Sequence, residues 1–241
     1  ENVAHPNPKE LRQTAERYGV RTVYGNYNFV STVKNRSAWL TVYIGSEKVL
    51  QPRLNQSQKE LLLDASKTVE LVHKYLEGAP LVCVDRTMGE NPHFNPHCTL
   101  YVSVHRKEMI RLAYMVGQTL FPFREGAPGP ELYLIYVPEW QEKDRQILVL
   151  PEIGVTYVLG SDYYGEAKKG FLRMAMWAAK QEGMLGIHAG AKVVKARDKI
   201  GVIRKRGMIL FGLSATGKTT NACHNHGLIE DGEGQEIAQD D

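Results

Sequence analysis

The clearest chemical pattern in the chain lies in residues 212–219, which read G-L-S-A-T-G-K-T. This segment matches the G-x-x-x-x-G-K-[ST] pattern of a phosphate-binding loop. In such a loop the glycines let successive N–H groups converge on phosphate oxygens, the lysine adds positive charge and the hydroxyl binds Mg²⁺. The predicted contact residues are Gly212, Leu213, Ser214, Ala215, Thr216, Gly217, Lys218, Thr219 and Thr220.

The flanking sequence bears on this interpretation. The apolar run 208–211 predicts a buried strand, and a helix is expected from about Lys218, with its positive dipole end toward the anion. A strand-to-helix turn that matches the pattern by chance is the alternative. The strand context and the Lys-Thr pair favour the phosphate loop, which indicates binding of a nucleoside triphosphate.

A second polar pattern occupies residues 160–170, G-S-D-Y-Y-G-E-A-K-K-G. Adjacent lysines such as Lys168 and Lys169 usually form a solvated surface pair. Here two tyrosines precede them and apolar sequence lies on both sides, which disfavours simple surface use. His188 lies in an otherwise apolar segment of small residues. A histidine of that kind is more often a core residue than a ligand.

The remaining histidines and cysteines predict no metal site. Pro92 and Pro96 interrupt any helical spacing among the histidines between residues 93 and 105, and no zinc pattern fits them. The three cysteines share no metal-type spacing, and their odd number argues against a disulfide framework. These cysteines are Cys83, Cys98 and Cys223.

Composition describes an ordinary globular chain. Its 241 residues are 24% charged and 43% hydrophobic, with a net charge of +3 that is too small to indicate a nucleic-acid or membrane partner. No apolar run reaches the length of a membrane span, and the polar N-terminus lacks a signal peptide, so the cytoplasm is the default location. Because the sequence lacks an initiating Met and stops soon after the loop, we expect the N-terminal portion of a longer protein.

The elements that must position these groups predict an α/β fold. Helices are predicted at 9–19, 57–76 (with a Ser57/Glu60 capping box), 107–120 and 171–180. Strands are predicted at 21–24, 38–44, 81–84, 98–104, 131–137, 146–150 and 155–159, and a strand or hairpin at 193–206. We expect a mixed-sheet substrate-binding domain at 1–184 and the first part of a phosphate-loop nucleotide-binding domain at 185–241.

Together these segments resemble the ATP-dependent phosphoenolpyruvate carboxykinase family. The resemblance rests on the loop at 212–220, the segment 160–170, and L-V-C-V-D-R-T-M-G-E-N-P at 81–92 with the strand and helix after it. The family usually carries Gly where this chain has Ala215. Its GTP-dependent counterpart fits less well, because that loop contains a reactive cysteine. The likeness extends from about residue 80 to the end of the chain.

The resemblance implies a carboxy-lyase of gluconeogenesis that converts oxaloacetate and ATP to phosphoenolpyruvate, CO₂ and ADP. It implies catalytic roles for Lys168, Lys169 and Lys218, and substrate contacts from Tyr163 and from Arg36 in V-K-N-R-S. These small molecules are the expected partners, with no nucleic acid and no membrane.

Two cations follow from the same resemblance. Mg²⁺ would accompany ATP at Thr219, and Mn²⁺ would be bound by Lys169, His188 and an acid. The acid is Asp240 or Asp241, with Asp231 less favoured. Lys169 must be neutral to bind a metal, which the neighbouring cation and the metal itself both favour.

Two alternatives remain open. Another phosphate-loop kinase or ATPase would account for the loop but leave the lysine pair and His188 with structural roles. A non-catalytic nucleotide-binding module or inactive fragment is the other, and we expect no activity from the chain as given, since residues for adenine recognition would lie beyond it.

Overall fold

The computed structural model describes residues 1–32, 38–49, 51, 53–142, 145–212 and 216–239. The chain forms two compact units, Glu1–Met184 (unit 1) and Leu185–Asp241 (unit 2). The helices are α1 (Pro8–Glu16), α2 (Gln56–Leu76), α3 (Ile110–Thr119), α4 (Tyr164–Gln181) and α5 (Lys218–Cys223). The strands are β1 (Val3–Ala4), β2 (Val20–Arg21), β3 (Tyr27–Asn28), β4 (Thr41–Tyr43), β5 (Leu81–Thr87), β6 (His97–Ser103), β7 (Phe121–Pro122), β8 (Glu131–Val137), β9 (Gln146–Leu150), β10 (Val155–Leu159), β11 (Ala189–Arg197), β12 (Ile203–Phe211) and β13 (Gly234–Gln239).

Unit 1 is built on one mixed sheet, with strand order β1-β5-β6-β8-β10-β9-β4 and β7 beside β5. Strands β6, β8 and β10 run parallel to one another, whereas β5 is antiparallel to β6 and β9 is antiparallel to β10. The α/β fold class expected from the sequence, with a mixed sheet in the first domain, is confirmed. Strands β8, β9 and β10 occupy the predicted ranges because each is a short, largely apolar run.

The main core of unit 1 lies on the sheet face that α1, α3 and α4 cover. Leu112, Phe171 and Met174 pack there against strand residues such as Leu100 and Leu134, all at most 1% exposed. Burial of each such side chain contributes about 1.5–3 kcal/mol. Helix α4 lies very close to β8, because a Cβ on Gly170 would come within 2.7 Å of Leu134 Cδ1.

The opposite face of the sheet is divided between an apolar and a polar half. Helix α2 packs Leu61 and Val72 against Val42, Leu148 and Tyr157 of strands β4, β9 and β10. On β5 and β6 the same face carries polar side chains, several of them half-exposed. These are Cys83, Asp85, His97, Thr99 and Tyr101.

Several local expectations for unit 1 were wrong. The strand predicted at 38–44 is shorter, because Ala38–Leu40 form a 3-10 helix before β4. The capping box of α2 is formed by Asn55 and Gln58, two residues earlier than the predicted Ser57/Glu60 pair. The strand expected at 21–24 ends at Arg21, because Thr22 N donates to Asn26 O (2.7 Å) in a tight turn. Helix α4 begins at Tyr164 and not at residue 171, so the lysine pair lies on a helix.

Unit 2 is a three-stranded antiparallel sheet, ordered β12-β11-β13, with α5 packed against it. The predicted run 208–211 is a strand, but it is not buried: Met208, Ile209 and Phe211 are 40%, 60% and 75% exposed. β12 is an edge strand, and α5 is a single short helix, which can cover only part of one face of the sheet. Among the described residues of the chain, no helix combines the length and apolar character needed to cross a membrane.

Candidate active site

The first turns of α4 carry the lysine pair. Tyr163 is the N-cap residue, and Lys168 and Lys169 are half-buried on the second turn. Successive helical residues are about 100° apart, so the two side chains project in different directions from one helix. Glu166 lies one turn earlier, 5% exposed, with its carboxylate 3.6 Å from Arg173 Nη2.

Gly165 is required by the position of the Tyr163 ring. A Cβ on Gly165 would lie 2.4 Å from Tyr163 Cε1, so any side chain would displace the ring. The Tyr163 carbonyl accepts from the buried Tyr136 hydroxyl (2.7 Å) and from Glu166 N (3.0 Å). The Tyr-Tyr-Gly-Glu sequence therefore fixes Tyr163 at the start of the helix that carries the lysines.

Asp162 forms a buried ion pair that anchors the same segment. Its Oδ2 lies 2.7 Å from Arg111 Nη2, and the two side chains are 2% and 4% exposed. Arg111 Nη1 also donates to the Asp162 carbonyl (3.2 Å). Burial lowers the pKa of the Arg111 guanidinium, and the Asp162 carboxylate opposes that shift. The segment before α4 is thus held to the first turn of α3.

Asp162 also anchors the loop that leads toward Arg36. Thr32 N donates to Asp162 Oδ2 (2.8 Å), and Ser31 Oγ donates to Oδ1 (3.3 Å). Arg36 lies four residues farther along the chain, outside the described residues. The buried carboxylate of Asp162, the residue before Tyr163, therefore binds the chain segment that leads to Arg36.

The described part of the predicted phosphate loop has the order strand, glycine, helix. A Cβ on Gly212 would lie 2.6 Å from Thr216 Oγ1, so only glycine permits this close approach of the two ends of the loop. Gly217 has φ +84°, a left-handed conformation that favours glycine. Lys218 and Thr219 form the first turn of α5. Leu213, Ser214 and Ala215 lie outside the described residues.

Lys192 connects α5 to the sheet of unit 2. It is 1% exposed, and its ammonium donates to the Asn221 carbonyl, to the His224 carbonyl (2.9 Å) and to Gln235 Oε1 (2.9 Å). A cation at the C-terminal carbonyls of a helix is also favoured by the helix dipole. Lys192 thereby joins the helix that begins with Lys218 to strands β11 and β13.

The other predicted ligands have the following places. His188 is half-buried and directly precedes β11, and Asp231 lies in an exposed turn where its carbonyl accepts from Arg197 Nη2 (2.8 Å). Asp240 and Asp241 lie outside the described residues. The predicted metal set Lys169, His188 and an acid therefore stays a prediction.

Sequence reasoning missed three positioning residues. Arg111 and Lys192 are each a single cation within an apolar run, and Asp162 directly precedes a motif tyrosine. A lone charge in an apolar run is the available signal, because burial of a charge requires a partner.

Comparison with known proteins resolves the family. The family model described as phosphoenolpyruvate carboxykinase, in its ATP-dependent form, matches residues 3–239. The phosphoenolpyruvate carboxykinase (ATP) of Aeropyrum pernix is 32% identical over 242 aligned residues, covering 98% of this chain and 44% of that protein. The chain belongs to the ATP-dependent phosphoenolpyruvate carboxykinase family.

Shorter matches to this carboxykinase family agree. The glycosomal phosphoenolpyruvate carboxykinase (ATP) of Trypanosoma brucei brucei is 40% identical over 77 residues, which cover 32% of this chain and 15% of that protein. The phosphoenolpyruvate carboxykinase (ATP) of Lysinibacillus sphaericus is 35% identical over 88 residues, which cover 36% and 15%. The chain thus spans less than half the length of these curated relatives.

Proposed function

We propose that the protein carrying this chain is an ATP-dependent phosphoenolpyruvate carboxykinase of gluconeogenesis. In the proposed reaction oxaloacetate loses CO₂, and the enolate oxygen that remains takes the γ-phosphoryl group of ATP, giving phosphoenolpyruvate and ADP. The observation that carries the proposal is the family match over residues 3–239, which includes the described chemical segments of both units. A plain phosphate-loop kinase would not need the segment 160–170.

The substrate side of the proposal rests on Tyr163 and Arg36. Oxaloacetate is a small dicarboxylate, and a guanidinium binds a carboxylate through two parallel hydrogen bonds. Asp162 supports this pairing, because the same carboxylate accepts from Thr32 and pairs with Arg111 beside Tyr163. Unit 1 is the proposed substrate-binding domain.

The nucleotide side rests on unit 2. The close approach of Gly212 and Thr216 leaves backbone N–H groups as the natural phosphate contacts, and the left-handed Gly217 directs the chain into α5. Lys218 would neutralise charge on the β- and γ-phosphates. Lys168 would add positive charge at the transferred group, since phosphoryl transfer depends mainly on positioning and charge neutralisation.

The donor groups suit two different cations. Thr219 offers a hydroxyl oxygen, which suits Mg²⁺, whereas the nitrogens of Lys169 and His188 favour Mn²⁺ over Mg²⁺. When bound, Mn²⁺ would stabilise the enolate oxygen and the phosphoryl group, and Mg²⁺ would accompany ATP. For this, Lys169 must present a neutral amine, and Asp240 or Asp241 would complete the site.

An assay of the full-length protein with ATP, oxaloacetate, Mg²⁺ and Mn²⁺ that follows both phosphoenolpyruvate and ADP tests the proposal. We expect equal formation of the two products, and loss of both by at least a hundredfold in Lys218→Ala. Lys169→Ala should abolish phosphoenolpyruvate formation at every Mn²⁺ concentration. Lys180→Ala, an exposed lysine on the same helix, is the matched control and should keep full activity.

Two other results of the same assay would contradict the proposal. Steady ADP formation without phosphoenolpyruvate, unchanged in Lys169→Ala, would establish the kinase or ATPase alternative. Absence of both products despite nucleotide binding would establish the non-catalytic alternative.

A further inference from the structure

Three metal-binding side chains meet on the polar half of the unit 1 sheet, and His97 lies beside one of them. Ligand atoms of His5, Cys83 and Asp85 all lie within 4.8 Å of one another. Cys83 Sγ is 3.8 Å from Asp85 Oδ2, and His97 Nε2 is 3.3 Å from Asp85 Oδ1. None of these residues belongs to the proposed carboxykinase site.

Strand pairing gathers these groups. β1 runs parallel to β5 with Ala4 opposite Val82, so the next residue, His5, continues toward Cys83. Cys83 and Asp85 alternate with core residues and therefore share one face of β5. His97 is paired with Thr87, one diagonal step from Asp85 on the same face.

We propose that His5, Cys83 and Asp85 form a Zn²⁺ site, with water as the fourth ligand. In a tetrahedral zinc site with bonds of about 2.0–2.3 Å, ligand atoms lie about 3.3–3.8 Å apart. The separation of Cys83 Sγ and Asp85 Oδ2 matches that spacing. A thiolate with an imidazole and a carboxylate selects zinc, whereas Mg²⁺ and Ca²⁺ prefer all-oxygen surroundings.

The surroundings hold the Asp85 carboxylate in place. Thr99 Oγ1 donates to Asp85 Oδ1 (2.7 Å), which orients the carboxylate as outer contacts do in metal sites. The His97 ring packs on Phe123, with centroids 4.5 Å apart. His5 is exposed, so a cation can reach the cluster from solvent. Binding must displace the Cys83 thiol proton, as at other cysteine-containing metal sites.

Such a site would join β1 to β5. β1 has only two residues in the sheet, and a metal ligand directly after it would secure the N-terminal segment. A zinc ion that binds the native state but not the unfolded state stabilises the fold, and this stabilisation grows with the zinc concentration. The proposed role is structural.

The test is metal titration of the chelator-treated protein. We expect one Zn²⁺ per chain in competition with a chromophoric chelator. Co²⁺ in its place should give the visible bands of a tetrahedral ion and a thiolate-to-cobalt charge-transfer band. Adding His188→Ala removes a ligand of the proposed Mn²⁺ site, which holds no thiol, and should leave the cobalt spectrum unchanged.

Single substitutions assign the ligands. His5→Ala and Cys83→Ser should each weaken Zn²⁺ binding by at least about tenfold, with loss of the charge-transfer band in Cys83→Ser. The controls His93→Ala and Cys223→Ser, both at exposed positions, should bind as the parent does. Circular dichroism verifies folding, and the exposed His5 provides a variant that does not disturb the core.

Two results would overturn the proposal. One is Co²⁺ binding to the His188→Ala protein without a thiolate band. The other is an unchanged Zn²⁺ affinity in folded His5→Ala. The residues around Asp85 would then form a hydrogen-bonded polar cluster and not a metal site.

Discussion

At the scale of single residues, the buried pair of Asp162 and Arg111 decides how the candidate substrate site is held. An exposed ion pair contributes at most about 1 kcal/mol, but removal of one partner of a buried pair leaves an uncompensated charge. Asp162 also accepts from Thr32 and Ser31. Its replacement therefore releases the loop toward Arg36 as well as Arg111.

We predict that Asp162→Asn lowers the free energy of unfolding by about 3–5 kcal/mol. The double variant Asp162→Asn/Arg111→Met should lose less than the single variant, because no buried charge is left unpaired. Urea denaturation of both variants measures the difference. Glu16→Gln breaks the surface pair with Arg12 and serves as the control, with an expected change much smaller than that of Asp162→Asn. A single variant as stable as the control would contradict the prediction.

At the scale of elements, helix α4 depends on its closeness to β8. Alanine at an exposed helical glycine would add about 1 kcal/mol of stability. At Gly170 the new methyl group would lie 2.7 Å from Leu134 Cδ1, so overpacking of about 1–3 kcal/mol opposes that gain. The balance favours destabilisation.

We therefore predict that Gly170→Ala lowers the thermal midpoint, and that Leu134→Val in the same chain restores part of the loss by removing the contacting methyl group. Gly78→Ala is the control, since a Cβ there meets no atom within 4 Å. Calorimetry of the variants measures these shifts. A midpoint for Gly170→Ala at or above that of the parent would show that α4 can move away from β8 without loss of stability.

Lys192 is the corresponding determinant of α5. Replacement by Met keeps the length of the side chain but leaves three buried or partly buried oxygens without their donor. We predict a loss of unit 2 stability of about 2–5 kcal/mol, because each lost bond to a charged donor contributes about 1.5–3 kcal/mol, partly recovered by water. Lys199→Met, at an exposed turn position, is the control. Hydrogen exchange of α5 and β13 amides measures the effect, and equal exchange in both variants would refute it.

The elements that sequence reasoning could and could not predict differ in the source of their stability. Strands 131–137, 146–150 and 155–159 are set by local apolar runs, and they are confirmed. The start of α4 was missed because Gly165 reads as a turn, whereas contacts with Tyr136 and Arg111 fix it there. Such long-range contacts leave no local pattern.

Candidate sites also differ in whether one local segment or long-range contacts bring their residues together. The lysine pair and the loop at 212–219 are contiguous motifs, so the sequence alone brings them forward as candidates. The set of His5, Cys83 and Asp85 shows no zinc spacing, since the pairing of β1 with β5, and not chain order, brings His5 to the other two residues. Spacing rules find only sites that one segment supplies.

At the scale of the whole molecule, the two units differ in construction. Unit 1 buries a large apolar core on one face of its sheet and a second cluster under α2. Unit 2 is a three-stranded sheet with exposed apolar side chains on its edge strand. Regions with fewer buried contacts open at lower free energy, so the amides of unit 2 should exchange faster than those of β8 and β10.

We predict that ADP with Mg²⁺ slows hydrogen exchange in peptides covering 207–223 at least tenfold, while peptides covering β8 and β10 stay unchanged. The reason is that a ligand stabilises the elements that it contacts against local opening. Mass spectrometry with and without nucleotide measures this, and Lys218→Ala should abolish the protection. Protection confined to 81–104 with none in 207–223 would contradict the assignment of the phosphate loop, because the nucleotide would then contact the sheet of unit 1.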